Sequence, residues 1–519
     1  MRALFACTDW STPACSESLR MPPAVDWYED ARQLLCECLG EEAFCAAAAA
    51  LAVPPTCTCV RVNTLVAEPA AIARELEELT GGARVTAASP DLPEALLVHG
   101  CGAQDVDVSP ACGRELAVDR RCAEAVLRGA DVFVPGVFGC SAGVEENVLV
   151  AVTAVIEPLG QTTGCGMTRG FVLPRTPSGR LLLGLGRTVL SRGQIFRANE
   201  GLAVIMEHRM FEQRVTGERI LSALRGRVML QNLPSIVAAR ALSPAPGDRV
   251  LDMCASPGGK TSALAALMHN RGCIVALDVN QTKVNQIRAL CCELGATIVS
   301  AHKMDATKSV LVGADADAPS EAEQAYVQAR GDSGRAAGGP KLEARKRRKA
   351  AGAAARGNAL CERDTSLCQP QDAQPTQAFP LGSFDAILCD APCSALGLRP
   401  RLSQPVNAAQ LRRFASYQRA LLHAAVALLR PGGALVFSTC TISPLENEAN
   451  VGWLLATFPD MQLQQPAVRL GGPGLTAPAC GGDPWLTPQQ ADLVQRFRPE
   501  THDTIGFFVA RFVKRARTE

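Results

Sequence analysis

The chain has 519 residues, too many for one hydrophobic core, and its 47% apolar and 20% charged composition excludes a disordered or fibrous protein. A formal net charge of +1 excludes a globally basic nucleic-acid binder, so any phosphate contact must come from local patches. No window offers ~20 apolar residues for a membrane span and the first residues lack a signal-peptide core, so a cytoplasmic protein with reduced cysteines is expected.

Residues 1–110 show helical spacing in "WYEDARQLLCECLG" and "AAIARELEEL", around a short strand-like stretch, "CVRVNTL", that carries Arg61, Asn63 and Thr64. From 111 to 205 the texture turns to short β-rich runs broken by Gly and Pro, such as "ADVFVPGVFGC" and "NVLVAVTAV", which predict a small barrel or sandwich. Beyond about 230, apolar runs without alternation ("DRVLDM", "CIVALD", "ATIVSAH", "FDAILCD", "GALVFSTC") alternate with helical segments, the pattern of a parallel sheet covered on both faces. "DTIGFFVARFVKR" supplies a last strand. The stretch 311–379 is rich in Ala, Gly, Ser and Gln and is expected to be a disordered insertion; its cluster Arg345–Lys349 is a candidate nuclear-import or RNA contact, or a merely solvated charge run.

The 22 cysteines include no C-x-x-C, and Cys36/Cys38, Cys57/Cys59 and Cys291/Cys292 lack zinc-site partners, so no metal is expected and most are read as small buried hydrophobes. Two stand apart because of where they fall. In an open parallel sheet, ligands bind beyond the carboxyl ends of the strands. Asp252, Asp278, Asp305, Asp390 and Cys440 stand at or just after five successive strand ends. "SPGGK" opens a helix directly after the first strand, where glycines let a ligand approach the backbone; Met253 replaces the leading glycine of a phosphate loop, which argues against an NTPase. With Asp278 placed to grip ribose hydroxyls, a nucleoside-type cofactor is expected.

Strands four and five should be neighbours, bringing Cys393 and Cys440 to one pocket. A thiolate is a natural nucleophile for an electron-poor ring carbon. Carbon-5 of cytosine takes a methyl group from S-adenosylmethionine only after attack at carbon-6, and an acid near N3, for which Asp390 is placed, favours that attack. A second thiol then assists loss of the C5 proton and release.

"DMCASPGGK", "DAPCSALG" and "FSTCTISPLENE", with "RVNT" near the N-terminus, resemble the signatures of the Sun-domain (Nol/Nop/Sun) RNA cytosine-5 methyltransferases. "AVLRGADVFVPGVFGCSAG" and "GLGRTVLSRGQIFRANEGLAVIM" resemble a PUA RNA-binding domain, which points to the PUA-bearing branch. The resemblance implies an α/β fold: a Rossmann-like class I methyltransferase sheet over 206–519, an N-terminal helical/α+β extension over 1–110, and an embedded PUA barrel over 111–205. It implies Cys440 as nucleophile and Cys393 as the release thiol. It also implies an S-adenosylmethionine site of Cys254, Ala255, Ser256, Pro257, Gly258, Gly259, Lys260, Asp278, Asp305 and Asp390, with Lys260 and Asp390 also near the base. RNA, for this branch tRNA near its 3′ end, is the implied partner, with a monomer as the expected state; Arg114, Arg120, Arg121 and Arg128 are candidate phosphate contacts. Ser256 and Ala395 depart from the family's usual Ala and Gly, and Ala395 matters for turnover if its position needs positive φ. A non-catalytic RNA-binding or assembly factor, a small-molecule methyltransferase, and Cys393 as nucleophile are the competing readings.

Overall fold

The computed structural model describes residues 25–156, 159, 168–173, 180–212, 217–311 and 378–516. Most of the predicted insertion, including Arg345–Lys349, lies outside the described residues.

An N-terminal unit starts with α1 (Glu29–Leu39) and α2 (Glu41–Leu51), the second absorbing the alanine run. There follow β1 (Cys57–Val62), α3 (Pro69–Leu79), β2 (Val85–Ala87) and β3 (Ala95–His99). Next come β4 (Glu115–Val118), α4 (Arg120–Leu127), β5 (Val132–Phe133), β6 (Val137–Ser141), β7 (Leu149–Ala154), β8 (Phe171–Leu173), β9 (Leu181–Thr188), α5 (Arg192–Arg197) and β10 (Leu202–Arg209). These strands form one sheet in the order β8-β6-β4-β7-β9-β10-β5. It curls over a core in which Leu116, Val137, Val152, Leu183 and Val204 meet, while Ala151, Leu182 and Leu185 pack in a smaller cluster. The chain then returns to its first unit through α6 (Gly217–Ala223) and β11 (Val228–Leu230), which pairs antiparallel with β1 and completes the sheet β11-β1-β3-β2. The N-terminal region is therefore α+β rather than mainly helical: β2 and β3 are too short, and too interrupted by turns, to leave a periodic signature.

The catalytic unit runs α7 (Leu233–Leu242), β12 (Arg249–Asp252), α8 (Gly259–Leu267), β13 (Cys273–Asp278), α9 (Gln281–Glu293), β14 (Val299–Lys303), β15 (Phe384–Asp390), α10 (Ala408–Leu428), β16 (Leu429–Thr439), α11 (Glu448–Thr457), β17 (Met461–Leu463), β18 (Gln495–Phe497) and β19 (Phe507–Lys514). Its sheet has the order β14-β13-β12-β15-β16-β19-β17, with β18 also on β19; the first five strands are parallel and β19 runs antiparallel to β16. This is a Rossmann-like methyltransferase sheet. Leu251, Leu277, Ile387 and Leu435 fill the core on one face, and Val250, Ile274, Leu388 and Val436 fill that on the other. Burial on both faces is why these strands read as unbroken apolar runs. Strand order reverses between β12 and β15, so the rim outside their carboxyl ends is the place for a ligand.

Residues flanking the 312–377 stretch meet each other: Leu311 N donates to Phe379 O and Phe379 N to Ser309 O, both at 2.7 Å. The sheet thus closes across the interruption. No helix among the described residues is long and apolar enough to cross a membrane.

The segment after β16 is anchored by a buried ion pair at the start of α11. Glu448, fully buried at the start of α11, accepts two bonds of 2.9 Å from Arg496 Nη1 on β18, and Arg496 Nη2 also bonds the carbonyl of Ile442. Removing one partner of such a pair strands the other charge in a dry interior. Glu448→Ala is expected to cost about 3–5 kcal/mol of stability in urea unfolding.

Candidate active site

Five strand ends build the rim. Asp252 closes β12; its Oδ2 accepts from Thr261 Oγ1 on α8 at 2.7 Å, while its buried Oδ1 has no hydrogen-bond partner within 3.5 Å among the described residues. Gly258, at φ +108°, turns the chain into α8 in a conformation that a side chain would resist. Asp278, nearly buried at the end of β13, accepts from Asn280 N at 3.0 Å and faces Lys283 at 3.6 Å. Asp305 caps the short turn after β14, accepting from Thr307 N and Oγ1 at 3.1 and 2.7 Å. Burial pushes the Cys254 thiol well above its ordinary range, with Cys389, Asp252, Asp390 and Asp278 adding to the effect. An acceptor-rich rim with an unpartnered Asp252 oxygen suits a ligand that brings donors, such as ribose hydroxyls and an ammonium group.

Asp390 closes β15. Lys260 Nζ donates to its Oδ2 at 2.7 Å and Ser438 Oγ, opposite it in register on β16, to its Oδ1 at 2.7 Å. The Lys260 ammonium also stands 5.3 Å from the centre of the Phe507 ring. Cys393 and Cys440 lie with their sulfurs 3.4 Å apart. The two thiol loops are tied together by backbone bonds of 3.0 Å, Ala391 N to Ser438 O and Gly397 N to Cys440 O. Gly397 is indispensable there, because a Cβ on it would lie 1.9 Å from the carbonyl oxygen of Gly506. The pair is electrically asymmetric. A bond from the Cys393 thiol holds Cys440 below the usual thiol range, against burial and against Asp390; donating that bond, together with burial, raises Cys393 well above it.

A cavity of about 540 Å³ opens beside this arrangement, lined by Cys57, Arg128, Gln231, Ser256, Lys260 and Asp390. It joins the N-terminal sheet, the end of α4 and the glycine loop, so three parts of the chain face one space. No group of three or more His, Cys, Asp or Glu suited to a metal occurs among the described residues.

With this geometry, the comparisons with known proteins are decisive. The chain matches the model of the 16S rRNA methyltransferase RsmB/F family over residues 239–322 and 343–513. It is 36% identical to the rRNA (cytosine-C(5))-methyltransferase NOP2C of Arabidopsis thaliana, across 96% of this chain and 92% of that protein. The chain belongs to the RsmB/F methyltransferase family. It is also 32% identical to the tRNA (cytosine(72)-C(5))-methyltransferase NSUN6 of Mus musculus, over 89% of this chain and 88% of that protein. The crystal structure of NSun6 from Pyrococcus horikoshii with SFG, an S-adenosylmethionine analogue, superimposes with a TM-score of 0.68 at 26% identity, covering 94% of this chain and 98% of that one. This RsmB/F protein is an S-adenosylmethionine-dependent RNA cytosine-5 methyltransferase.

Several residues that shape the rim of this methyltransferase escape a linear reading. Ser438 is one, visible only once β15 and β16 are in register. Arg61 of "RVNT", singled out in the sequence without a role, crosses from β1 to donate to Gly259 O at 2.8 Å and Ser262 Oγ at 2.7 Å, clamping the N-terminal sheet to α8. Asn63 reinforces the clamp by donating to Gly226 O and Leu294 O, both at 2.8 Å. Gln231 is buried on the cavity wall; its Nε2 donates to Ser235 Oγ at 3.0 Å.

Ala395, two residues after Cys393, has φ +57°, the left-handed conformation that a Cβ disfavours by roughly 1–2 kcal/mol. Glycine would relieve that strain and give back part of the gain as unfolded-state entropy. Ala395→Gly is expected to raise stability by about 0.5–1 kcal/mol, read as a higher urea midpoint at unchanged slope.

Burial pushes the Asp252 carboxyl up to about 7 from its ordinary 3.8, against the bond from Thr261. Between those values the unfolded chain has released a proton that the folded chain keeps, so Asp252 makes stability fall as pH rises through this window and adds no slope above it. Asp252→Asn removes the effect. Its stability relative to the unsubstituted protein is expected to climb from about pH 4.5 to about pH 7 and then level, measured by urea unfolding across that range.

Proposed function

We propose that this methyltransferase acts on tRNA near its 3′ end, with Cys440 as the nucleophile and Cys393 as the release thiol. The observation that carries the reading is the sulfur pair at 3.4 Å, with Cys440 the thiol held low, beside the Lys260–Asp390 ion pair. In this reading Cys440 Sγ bonds to C6 of the cytosine and the C5–C6 π electrons move onto the ring. As those electrons reach N3 the ring takes up a proton there from solvent; the Asp390 carboxylate accepts a hydrogen bond from the resulting N3–H, and Lys260 and Ser438 hold that carboxylate in place. Once Cys440 is bonded to carbon, Cys393 gives its own proton to solvent; after methyl transfer the Cys393 thiolate takes the C5 proton, the C5–C6 double bond re-forms as the sulfur–C6 bond breaks, N3 returns its proton to solvent and Cys440 leaves as a thiolate.

Asp252, Asp278, Asp305 and Asp390 with the 254–260 loop are the residues proposed to hold S-adenosylmethionine. Bound there, it supplies an electrophilic methyl group for C5. Support comes from the unpartnered Asp252 oxygen and from the nearly buried Asp278 carboxylate at the neighbouring strand end.

The curled sheet is proposed to serve as a PUA RNA-binding domain. In favour of this, Arg128 at the end of its α4 lines the same cavity as Lys260 and Asp390. Among the four arginines singled out in sequence, Arg114 donates to Leu149 O and Arg120 pairs with Glu124, whereas Arg121 and Arg128 are exposed. A base within a duplex must be unstacked before a thiol reaches C6, at a cost of a few kcal/mol, and contacts made by a separate domain can offset that cost. The tRNA assignment leans on the mouse relative's name; the Arabidopsis relative is named for rRNA and motivates a second reading, an rRNA target.

Purified protein with labelled cofactor is expected to label cytosine C5 in tRNA transcripts and to lose that labelling when the acceptor end is removed; labelling of rRNA fragments alone would favour the second reading. On denaturing gels, Cys440→Ala is expected to form no covalent RNA adduct and Cys393→Ala to accumulate one. The opposite pattern would exchange the two roles.

A further inference from the structure

Beneath the two thiols lies a carboxylate that no step of the reaction uses. Glu446 is fully buried. Its Oε2 accepts from Ser394 N and from Gln418 Nε2, both at 2.9 Å. Its Oε1 accepts from Ser394 Oγ at 2.5 Å and, more weakly, from Thr441 Oγ1 at 3.5 Å; the two hydroxyls also meet at 2.7 Å. Ser394 directly follows Cys393, and Thr441 directly follows Cys440. One side chain therefore grips the residue next to each sulfur.

The grip is itself anchored. Gln418 on α10 donates to Pro392 O at 3.1 Å as well as to Glu446, and its Oε1 accepts from Asn450 Nδ2 at 2.8 Å. Arg419 Nε fixes Asn450 Oδ1 at 2.9 Å. A buried carboxylate is a costly way to join two loops, and apolar packing in its place is often as stable or more so. What it offers instead is directional bonding that apolar packing lacks.

We propose that Glu446 is a positioning residue for the methyl transfer: its carboxylate fixes Cys393 Sγ at hydrogen-bonding distance from Cys440 Sγ, so that one thiol reaches C5 while the other is bonded to C6. The inference rests on the assignment of Cys440 and Cys393 above. Without the brace the two loops separate by fractions of an ångström to an ångström, enough to reduce turnover on the order of 100-fold without weakening RNA binding.

The test uses the full chain with Glu446→Ala and Glu446→Gln. The amide keeps the brace, because its oxygen accepts from Ser394 N and Gln418 while its NH₂ donates to the Ser394 and Thr441 hydroxyls; it removes only the charge. The groups acting on Cys440 are Cys393, Asp390, Lys260 and Glu446. Removing the Glu446 charge favours the Cys440 thiolate, so the acid limb of the kcat–pH profile of Glu446→Gln moves to lower pH. Its kcat at the optimum stays within about fivefold, whereas Glu446→Ala loses about 100-fold in kcat with KM within about threefold.

A readout independent of catalysis is the rate at which diamide couples the two thiols. Both sulfurs are oxidised to one disulfide, and the N=N bond of diamide takes up the two protons and two electrons. That rate falls in Glu446→Ala and is kept in Glu446→Gln. The proposal is overturned if Glu446→Ala keeps the native kcat and coupling rate, or if both variants lose kcat alike with an unmoved pH profile. Persistence of RNA adducts in Cys440→Ala would instead overturn the assignment of the nucleophile and leave the coupling result standing.

Discussion

Lys260 reaches from the first turn of α8 to the end of β15, and its 2.7 Å bond to Asp390 places a cation where it offsets the effect of that carboxyl on the neighbouring Cys440 thiol. Asp390 raises the Cys440 thiol and Lys260 lowers it, so an unpaired Asp390 would oppose ionisation of the sulfur. The ion pair thus lets one carboxyl stay close to the proposed nucleophile with its effect on that sulfur partly offset. The rest of the molecule can be understood as holding Lys260 and Asp390 in register. Parallel pairing of β12 with β15 places the helix start opposite the strand end, and the Arg61 clamp secures the first turn of α8 by its Gly259 carbonyl.

The N-terminal sheet therefore belongs to the catalytic machinery in a mechanical sense. Arg61 is almost fully buried, and burial lowers its guanidinium to about 10. A desolvated cation of this kind is retained where its direction matters, because two hydrogen bonds from one planar group fix both position and orientation. The catalytic unit meets the curled sheet through Glu124 on α4, which accepts from Arg401 Nη1 and from Leu402 N, both at 3.1 Å. Arg401 and Leu402 lie a few residues beyond Cys393 in the chain, so the curled sheet and the thiol loop are mechanically linked through that short segment.

The parallel sheet was legible in the sequence because strands covered on both faces need apolar residues at consecutive positions, and the acids and thiols stand out where those runs stop. Asp252, Asp278, Asp390 and Cys440 were found by that rule alone. What the sequence hid are contacts across the chain. Nothing around Glu448 predicts that it meets Arg496, nor does the order of residues reveal that β11 returns to pair with β1. Glu446, Asn447 and Glu448 look like a single acidic motif, yet each has a separate task. Glu446 bonds Ser394 and Gln418, Asn447 bonds Thr439 Oγ1 and the Thr441 carbonyl, and Glu448 bonds Arg496. Linear spacing shows that polar residues follow Cys440; only their three-dimensional partners show why.

The contact between the sulfurs also orders the proposed reaction in time. Cys393 is held protonated chiefly by the bond it donates to Cys440, with burial, the Cys440 charge and Glu446 adding to the effect. A thiol so held is a poor base. Once Cys440 is bonded to carbon it carries no negative charge and is a much weaker acceptor, so two of those influences fall away together. Cys393 then becomes easier to deprotonate, at the stage when a base is wanted near C5. When Cys440 is released as a thiolate it again draws a proton from its neighbour, and the resting asymmetry returns. Two cysteines at hydrogen-bonding distance can in this way exchange the roles of acid and base through the covalent state of one of them, with no movement of either strand.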